Sequence, residues 1–152
     1  MQDDTYYMNL AIEQARKALA YDEVPVGAVI VSDSGRVIGT GHNRPISSND
    51  PTSHAEIEAL RDACRTMGNY RLTGVTVYAT IEPCIMCMGA IIHARAGRLV
   101  YGARDLRWGA AGTLYDFSRD ERLNHTLEVV SGVCEQETKD LIQGFFRHKR
   151  SK

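Results

Sequence analysis

The sequence lacks the features that mark membrane and secreted proteins. No apolar run is long enough to span a bilayer, because the longest candidates have the length of a strand or are interrupted by charge. The chain starts Met1-Gln2-Asp3-Asp4, which is acidic where a secretory signal would be basic and then apolar. Charge of one sign is also lacking, since 18 basic and 19 acidic side chains give a formal net charge of −1. We therefore expect a soluble, cytoplasmic protein without a membrane partner, and the composition alone does not indicate nucleic-acid binding.

Cysteine is scarce, which argues against a disulfide framework. Of four cysteines, Cys84 and Cys87 form a C-x-x-C, whereas Cys64 and Cys134 stand alone. In an intracellular chain, C-x-x-C indicates metal or redox chemistry more often than a structural bridge. We expect Cys64 and Cys134 to be small buried apolar side chains.

Length and patterning predict one domain over residues 1–152. Hydrophobic residues make up 43% and charged residues 24%, as in ordinary globular proteins, and 152 residues suffice for a single core.

Apolar periodicity predicts helices over about 5–21, 54–67 and 83–94. It also predicts a last helix whose buried stripe is Leu141, Ile142, Phe145 and Phe146. Strands are predicted at 26–31, 36–41, 75–80, 99–101 and 127–130, with a loop over 43–53. The order predicts an α/β fold with helices on both faces of a mixed five-stranded sheet: an antiparallel hairpin first, then right-handed strand–helix–strand crossovers with parallel pairing.

Three residue types with metal-ligand spacing form the most informative pattern. Cys84 and Cys87 are three residues apart and so lie on one face of the helix that they begin, while His54 begins a different helix. Zinc prefers imidazole nitrogen and thiolate sulfur in a tetrahedron, and a helix N-terminus favours thiolate. Three protein ligands leave the fourth position open, as in catalytic rather than structural zinc sites. The sequence therefore predicts one catalytic Zn²⁺ per chain.

Glu56 is the predicted proton shuttle. It lies two residues after His54, so the two side chains do not share a helix face, and Glu56 is poorly placed as a fourth ligand. A carboxylate beside the open zinc position can accept and then donate a proton, while zinc lowers the pKa of water from ~15.7 toward roughly 7. This combination suits hydrolytic loss of ammonia from an amidine-like carbon.

Each half of this pattern is weak alone. A helix surface often carries H-x-E by chance, and C-x-x-C also serves redox pairs and structural zinc sites. Together, H-x-E followed by P-C-x-x-C after one strand is the signature of zinc-dependent nucleobase deaminases. No second C-x-x-C and no H-x₃₋₅-H is present to complete a structural zinc site.

Beyond these motifs, nearly the whole chain resembles the bacterial tRNA-specific adenosine deaminases of the cytidine deaminase superfamily. The matching stretches are 23–28 (EVPVGA), 41–45 (GHNRP), 50–56 (DPTSHAE), 82–87 (EPCIMC), 102–105 (GARD), 109–112 (GAAG) and 145–147 (FFR). The resemblance implies a cytidine deaminase-like three-layer α/β/α fold. It also implies hydrolysis of adenosine to inosine at the wobble position of a tRNA anticodon stem-loop, by a homodimer.

The resemblance also implies which residues contact the RNA. Asn43 would contact the target nucleotide, and Asp105 would lie in the loop that cradles it. Phe145, Phe146, Arg147 and Arg150 would belong to a helix that faces the RNA. Arg104 and Arg107 are further substrate-binding candidates because of their charge, which suits the phosphates that flank the target nucleotide. Structural alternatives exist for four of these residues. Asn43 could end a strand, Asp105 could cap a turn, and Phe145 and Phe146 could be core residues.

Three further features are open at this stage. Leu106-Arg107-Trp108 stands where the family more often has a lysine before the glycine, and Trp108 either stacks on a base or covers apolar surface. The tail contains Arg147, Lys149, Arg150 and Lys152, which form either a solvated helix end or a phosphate-binding patch. The 83–94 helix is apolar nearly all round, and Ile91 and Ile92 are predicted to exceed what one subunit can cover, which indicates a dimer interface.

Two other functions compete with the first. One is a deaminase of a free base or nucleotide, such as guanine or deoxycytidylate, against which the basic tail and the Arg104/Arg107 loop argue. The other is a catalytically silent, zinc-stabilised RNA-binding module, against which Glu56 argues, because a structural site has no use for it.

Overall fold

The computed structural model describes residues 1–151, so Lys152, the last cation of the predicted basic tail, lies outside the described residues. The helices and strands of the described chain are α1 (Asp4–Leu19), β1 (Gly27–Val31), β2 (Val37–His42), α2 (Pro45–Ser48), α3 (Ala55–Met67), β3 (Thr76–Ile81), α4 (Ile85–His93), β4 (Arg98–Ala103), β5 (Glu128–Val130) and α5 (Glu135–Arg150). Within this part of the chain, none of the helices has the length and apolar character needed to cross a lipid bilayer.

The five strands form one mixed sheet in the order β2-β1-β3-β4-β5. β1 pairs antiparallel with β2 and with β3, whereas β3–β4 and β4–β5 are parallel. The predicted mixed sheet with an antiparallel hairpin is thereby confirmed, and so is the parallel pairing of the second strand–helix–strand passage, β3–α4–β4. The parallel pairing predicted for the first passage, β2–α3–β3, is wrong, because β1 lies between the two strands. The parallel pairing of β5 adds a feature that the pattern did not predict, because no helix connects β4 to β5.

Alternate strand residues bury two separate apolar layers, which makes the fold three-layered as predicted. Ala28 and Ile30 of β1 face the layer under α3 and α4, while Val29 and Val31 face the layer under α1. This period of two follows from the pleat, which sends successive side chains to opposite faces. Gly41 lets α3 approach closely, since a Cβ there would lie 2.5 Å from the Ala55 carbonyl oxygen. The N-terminus of α3, where His54 and Glu56 stand, is therefore seated directly against the sheet.

Local departures from the predicted elements have simple causes. The 43–53 segment, predicted as a loop, contains the single-turn helix α2, which is too short to show a period. Pro45 begins it, and the buried carboxylate of Glu23 accepts hydrogen bonds from the amides of Ile46 (3.3 Å) and Ser47 (2.7 Å). Pro83 is not the first helical residue as predicted: α4 begins at Ile85, with Cys84 as its N-cap.

Several predicted burial states are wrong. Ile91 and Ile92 were expected to exceed what one subunit covers, yet the chain's own core buries both. In α5, Phe145 is buried as expected but Phe146 is 44% exposed, and Leu141 and Ile142 are half-buried. Cys64 and Cys134 are half-buried at the edges of the two layers rather than fully buried. In each case periodicity identified the apolar residues but not the neighbours that cover them.

Candidate metal centre and its cleft

His54, Cys84 and Cys87 converge on one point, although they come from two helices. One ligand atom from each lies within 4.8 Å of the others. His54 Nδ1 is 3.6 Å from Cys84 Sγ and 3.6 Å from Cys87 Sγ. A tetrahedral zinc with Zn–S ~2.3 Å and Zn–N ~2.05 Å requires an N···S separation of about 3.6 Å. The cluster therefore already has the spacing that zinc requires.

The N-termini of α3 and α4 position the three side chains of the cluster. His54 is the N-cap of α3 and Cys84 the N-cap of α4, both have extended backbone, and neither side chain makes a capping hydrogen bond. The two side chains are thus left to point away from their helices toward each other. Cys87 stands within the first turn of α4, on the same face as Cys84. The partial positive charge of both helix N-termini favours anionic ligands there.

The protonation of the two thiols shows that the cluster favours a cation. Hydrogen bonds from the Cys87 thiol and from His54 lower the pKa of Cys84 to about 4, against desolvation that opposes ionisation. The hydrogen bond to Cys84, burial and the Glu56 charge raise the pKa of Cys87 far above its ordinary value. Without a metal, these shifts favour the thiolate at Cys84 and the thiol at Cys87. A divalent ion would replace the proton and stabilise both sulfurs as thiolates.

Glu56 lies beside the cluster but is not part of it. The carboxyl group is 3% exposed and within hydrogen-bonding reach of the Cys87 thiol. Among residues 1–151, only His54, Cys84 and Cys87 form a group with ligand atoms mutually within 4.8 Å. In the metal-free chain, burial raises the pKa of Glu56 to about 7, and a cation at the cluster would favour its ionised form. Its position suits proton transfer next to the metal.

The cluster opens into a cleft of about 1330 Å³. Most of the residues predicted from the sequence for metal binding, proton transfer and substrate binding line this cleft, and the exceptions in the described chain include Lys149 and the fully buried Cys87. The lining residues of this set are His54, Cys84, Glu56, Asn43, Arg104, Asp105, Arg107, Phe146, Arg147 and Arg150. We call the metal cluster with Glu56 the floor of the cleft, and the segment 104–113 that follows β4 its rim loop.

Glu82 holds the rim loop in place. Its carboxylate is 1% exposed and accepts hydrogen bonds from the amides of Asp105 (3.1 Å), Ala111 (3.0 Å) and Thr113 (3.0 Å), and from the Thr113 hydroxyl. Gly109 makes this possible, since a Cβ there would lie 2.6 Å from the Glu82 carboxylate. One buried side chain from the end of β3 thus satisfies several amides that the irregular loop leaves unpaired.

Asp105 performs the turn-capping role that was the structural alternative for it. Its Oδ1 accepts hydrogen bonds from the amides of Arg107 (2.9 Å) and Trp108 (3.2 Å). It nevertheless lines the cleft. Asn43 behaves differently: within residues 1–151, no hydrogen bond involves its side-chain amide, which lies half-buried at the cleft wall.

The basic tail divides into two parts. Arg147 and Arg150 line the cleft and are exposed. Lys149, which the sequence grouped with them as a phosphate partner, instead pairs with Asp22 and lies 5.7 Å from the centre of the Phe145 ring. The helical period explains this, because Lys149 is on a different face of α5 from Arg147 and Arg150.

Sequence reasoning missed Glu23 and Glu82. Both are 1% exposed and both hold a loop of the cleft by its amides. The available signal was a glutamate directly beside an apolar stretch, before it for Glu23 and after it for Glu82, and within two residues of a proline. A charge in such a position is buried only when donors satisfy it.

The chain is similar to known deaminases over almost its full length. Residues 1–103 match the family described as the cytidine and deoxycytidylate deaminase zinc-binding region. The tRNA-specific adenosine deaminase of Haemophilus influenzae is 49% identical over 147 residues, which are 97% of this chain and 85% of that protein. The tRNA-specific adenosine deaminase of Bacillus subtilis is 43% identical over 152 residues, 100% of this chain and 94% of that protein.

Solved structures give the same relationship. A structure from a study of A-to-I editing by tRNA:A34 deaminases superposes with a TM-score of 0.86 at 45% identity, covering 90% of this chain and 99% of that chain. The guanine deaminase from Nitrosomonas europaea superposes at 0.79 with 26% identity, covering 95% and 85%. The residues of the metal centre fit the zinc that defines this family. The chain therefore belongs to the cytidine and deoxycytidylate deaminase family of zinc-binding enzymes, and within it to the tRNA-specific adenosine deaminases.

Proposed function

We propose that this enzyme hydrolyses adenosine to inosine at the wobble position of a tRNA anticodon, in the cytoplasm. The observation that carries this proposal is the cleft itself, which joins a zinc-type floor with a proton-transfer carboxylate to a rim of arginines. Its volume of about 1330 Å³ exceeds the roughly 300–1,000 Å³ of typical small-molecule sites. Relatives that share the full length of the chain are named for the same reaction.

His54, Cys84 and Cys87 hold the zinc, whose chemistry is Lewis acidity that lowers the pKa of water. Glu56 moves the protons: its carboxylate takes one from the water that adds to C6 and passes it to the ring nitrogen. It then carries the proton of the hydroxyl group now on C6 to the departing amino group, the C6–N bond breaks as the C6 carbonyl forms, and adenosine and water give inosine and ammonia. Burial suits Glu56 to this cycle, because it raises its affinity for the transferred proton.

The RNA is held by the walls and rim of the cleft. The free side-chain amide of Asn43 orients the target nucleotide, and Asp105 shapes the loop that cradles it. Arg104, Arg107, Arg147 and Arg150 face phosphates, and Phe146 contributes an exposed ring. Single-stranded loops expose bases that a duplex hides, so an anticodon loop presents adenosine in a form that such a cleft admits.

A direct comparison of substrates tests the proposal. The zinc-loaded protein should form inosine in a synthetic anticodon stem-loop with adenosine at the wobble position, and should release little ammonia from guanine, cytidine or deoxycytidylate. Turnover of a small molecule with no reaction on the stem-loop would favour a free-base or nucleotide deaminase. RNA binding without any turnover would favour the non-catalytic module.

We also propose that the enzyme is a homodimer and that the outward face of α4 contributes to the interface. This face carries Ile85, which is 41% exposed, and the half-buried Met86, Gly89 and Ala90. Ile85 and Met86 also line the cleft, so this interface would border it. A Cβ added at Gly89 meets nothing within 4 Å in the single chain, so we expect Gly89→Arg to fold normally. It should sediment as a monomer, whereas the matched control Gly144→Arg, also in a helix with open space, should remain a dimer. A monomeric parent protein at micromolar concentration would contradict the proposal.

A further inference from the structure

Trp108 is an exposed tryptophan on the rim loop, where it lines the cleft together with Arg104 and Arg107. It is the chain's single tryptophan, and 61% of its surface is exposed. Most of the ring is therefore left uncovered by the chain itself, which favours stacking over covering apolar surface, the other alternative for it. Among the ring contacts of residues 1–151, no aromatic ring or cation stacks on the indole.

The exposed ring stands on a fixed backbone. The Trp108 amide donates to Asp105 Oδ1 at 3.2 Å, and the next amide, that of Gly109, donates to the Asp105 carbonyl at 3.0 Å. Asp105 is itself tied to the buried Glu82 through its amide. The rim loop thus holds the indole in the cleft without burying it, so a ligand that stacks on the ring would not have to order the backbone.

The surroundings of Trp108 favour one class of ligand. The ring shares the cleft with the metal cluster and Glu56 on the floor, and with the guanidinium groups of Arg104 and Arg107 on its own loop. A flat aromatic face beside cations is the combination that binds a nucleobase and its phosphate in single-stranded RNA.

We infer that Trp108 is a stacking platform for a base next to the reacting adenosine, and that it thereby selects an unstacked RNA loop over a free base. This inference rests on the proposed function, because it requires that the substrate has a neighbouring base. Trp108 acts by holding the flanking nucleotide, while the reaction at C6 remains with the floor.

The single tryptophan gives a direct binding measurement. In a zinc-loaded Glu56→Gln background, which prevents turnover, the anticodon stem-loop should quench tryptophan emission, with excitation where tyrosine does not absorb. The same stem-loop with an abasic site at one position flanking the wobble nucleotide should bind without that loss of emission. Abasic sites farther from the wobble position should leave the quenching intact.

Kinetics separate stacking from apolar contact. Trp108→Leu keeps an apolar side chain without an aromatic face and should raise KM for the stem-loop by about 5- to 150-fold, the range for a lost base–aromatic stack. Trp108→Phe should restore most of the affinity. The value of kcat at saturating RNA and the zinc content should change in neither variant.

Three results would overturn the inference while leaving the proposed function standing. These are inosine formation with no quenching on binding, equal KM values for the parent and Trp108→Leu, and emission that shifts on dilution because a second copy covers the ring. Failure to form inosine in the stem-loop, with ammonia released from a free base, would instead reject the proposed function.

Discussion

Glu56 on the floor and Glu82 behind the rim loop are both buried carboxylates of one cleft, but their oxygens face different partners. Glu56 is 3% exposed and lies beside the metal ligands, with burial raising its pKa to about 7. Glu82 is 1% exposed, and four donors from the rim loop surround it. A carboxylate with spare acceptor capacity can exchange protons, whereas one surrounded by backbone amides fixes a shape. The comparison teaches that burial alone does not identify a catalytic acid; the partners of its oxygens do.

The largest effect should come from Glu56→Gln, which keeps the shape of the side chain and removes the base. We expect kcat for inosine formation to fall by about 10²- to 10⁴-fold, the usual contribution of a general acid–base group. Zinc content, measured by elemental analysis, should stay at one per chain. Cys87→Ala is the contrasting variant and should lose the metal as well as activity, whereas Cys64→Ala should keep both. If Glu56→Gln instead loses zinc in proportion to its loss of activity, Glu56 is a metal ligand and not a proton-transfer group.

Glu82→Gln should have a smaller effect of a different kind. The amide cannot accept from all four donors, and each buried donor left unsatisfied costs about 1–3 kcal/mol. We therefore expect KM for the stem-loop to rise by about 5- to 150-fold through a loosened rim loop, with zinc content unchanged. Glu23→Gln is the matched control, because Glu23 is equally buried but holds α2, whose residues do not line the cleft. A fall in kcat with unchanged KM would show that Glu82 takes part in the chemistry.

Much of the floor was predictable from the sequence because it is encoded locally. His54 and Glu56 stand two residues apart, Cys84 and Cys87 three apart, and both pairs start helices whose beginnings have local signals. The order of strands and helices likewise predicted a mixed sheet with its parallel crossover. Spacing and periodicity suffice where the interacting residues are neighbours in the chain.

The residues of the rim loop were named from the sequence, but the contacts that support the loop were not predictable because they join distant residues. Glu82 reaches amides 23 to 31 positions away, and nothing near residue 82 indicates which loop would supply them. The same limit applies to Ile91 and Ile92, whose apolar character was visible but whose covering neighbours were not. Lys149 was grouped with Arg147 and Arg150 by charge, yet its pairing with Asp22, 127 residues away, depends on the fold.

The salt dependence of RNA binding should depend on Arg147 and Arg150, which line the cleft, and not on Lys149, which does not. Each phosphate contact on single-stranded RNA contributes about −0.7 to the slope of log K against log salt. Replacing both Arg147 and Arg150 with glutamine should flatten the slope by roughly 1.4, provided each contacts one phosphate. Lys149→Gln removes the same charge from the same helix and should leave the slope unchanged, because Lys149 faces Asp22. A titration of the stem-loop at several salt concentrations measures both, and equal flattening by Lys149→Gln would return Lys149 to the RNA-binding surface.

The smallest effect concerns a third carboxylate, Asp4, which affects stability rather than the cleft. Bidentate hydrogen bonds from Arg98, at 2.7 Å each, and one from Tyr78 lower the pKa of Asp4 below its ordinary value. A lowered pKa means that the carboxylate is favoured in the folded state. Its stabilisation is therefore complete above the unfolded pKa of ~3.9 and is lost as the pH falls through the lower folded value.

Asp4→Asn should thus lower the free energy of unfolding at pH 7 by about 1–2 kcal/mol. The difference from the parent should shrink below about pH 4. Asp3→Asn removes the same charge one residue earlier and preserves the N-cap, since asparagine caps as well as aspartate. Denaturant unfolding at pH 7 and at pH 3 tests this, and a difference between the parent and Asp4→Asn that persists undiminished at pH 3 would show that the stabilisation does not come from the charged pair.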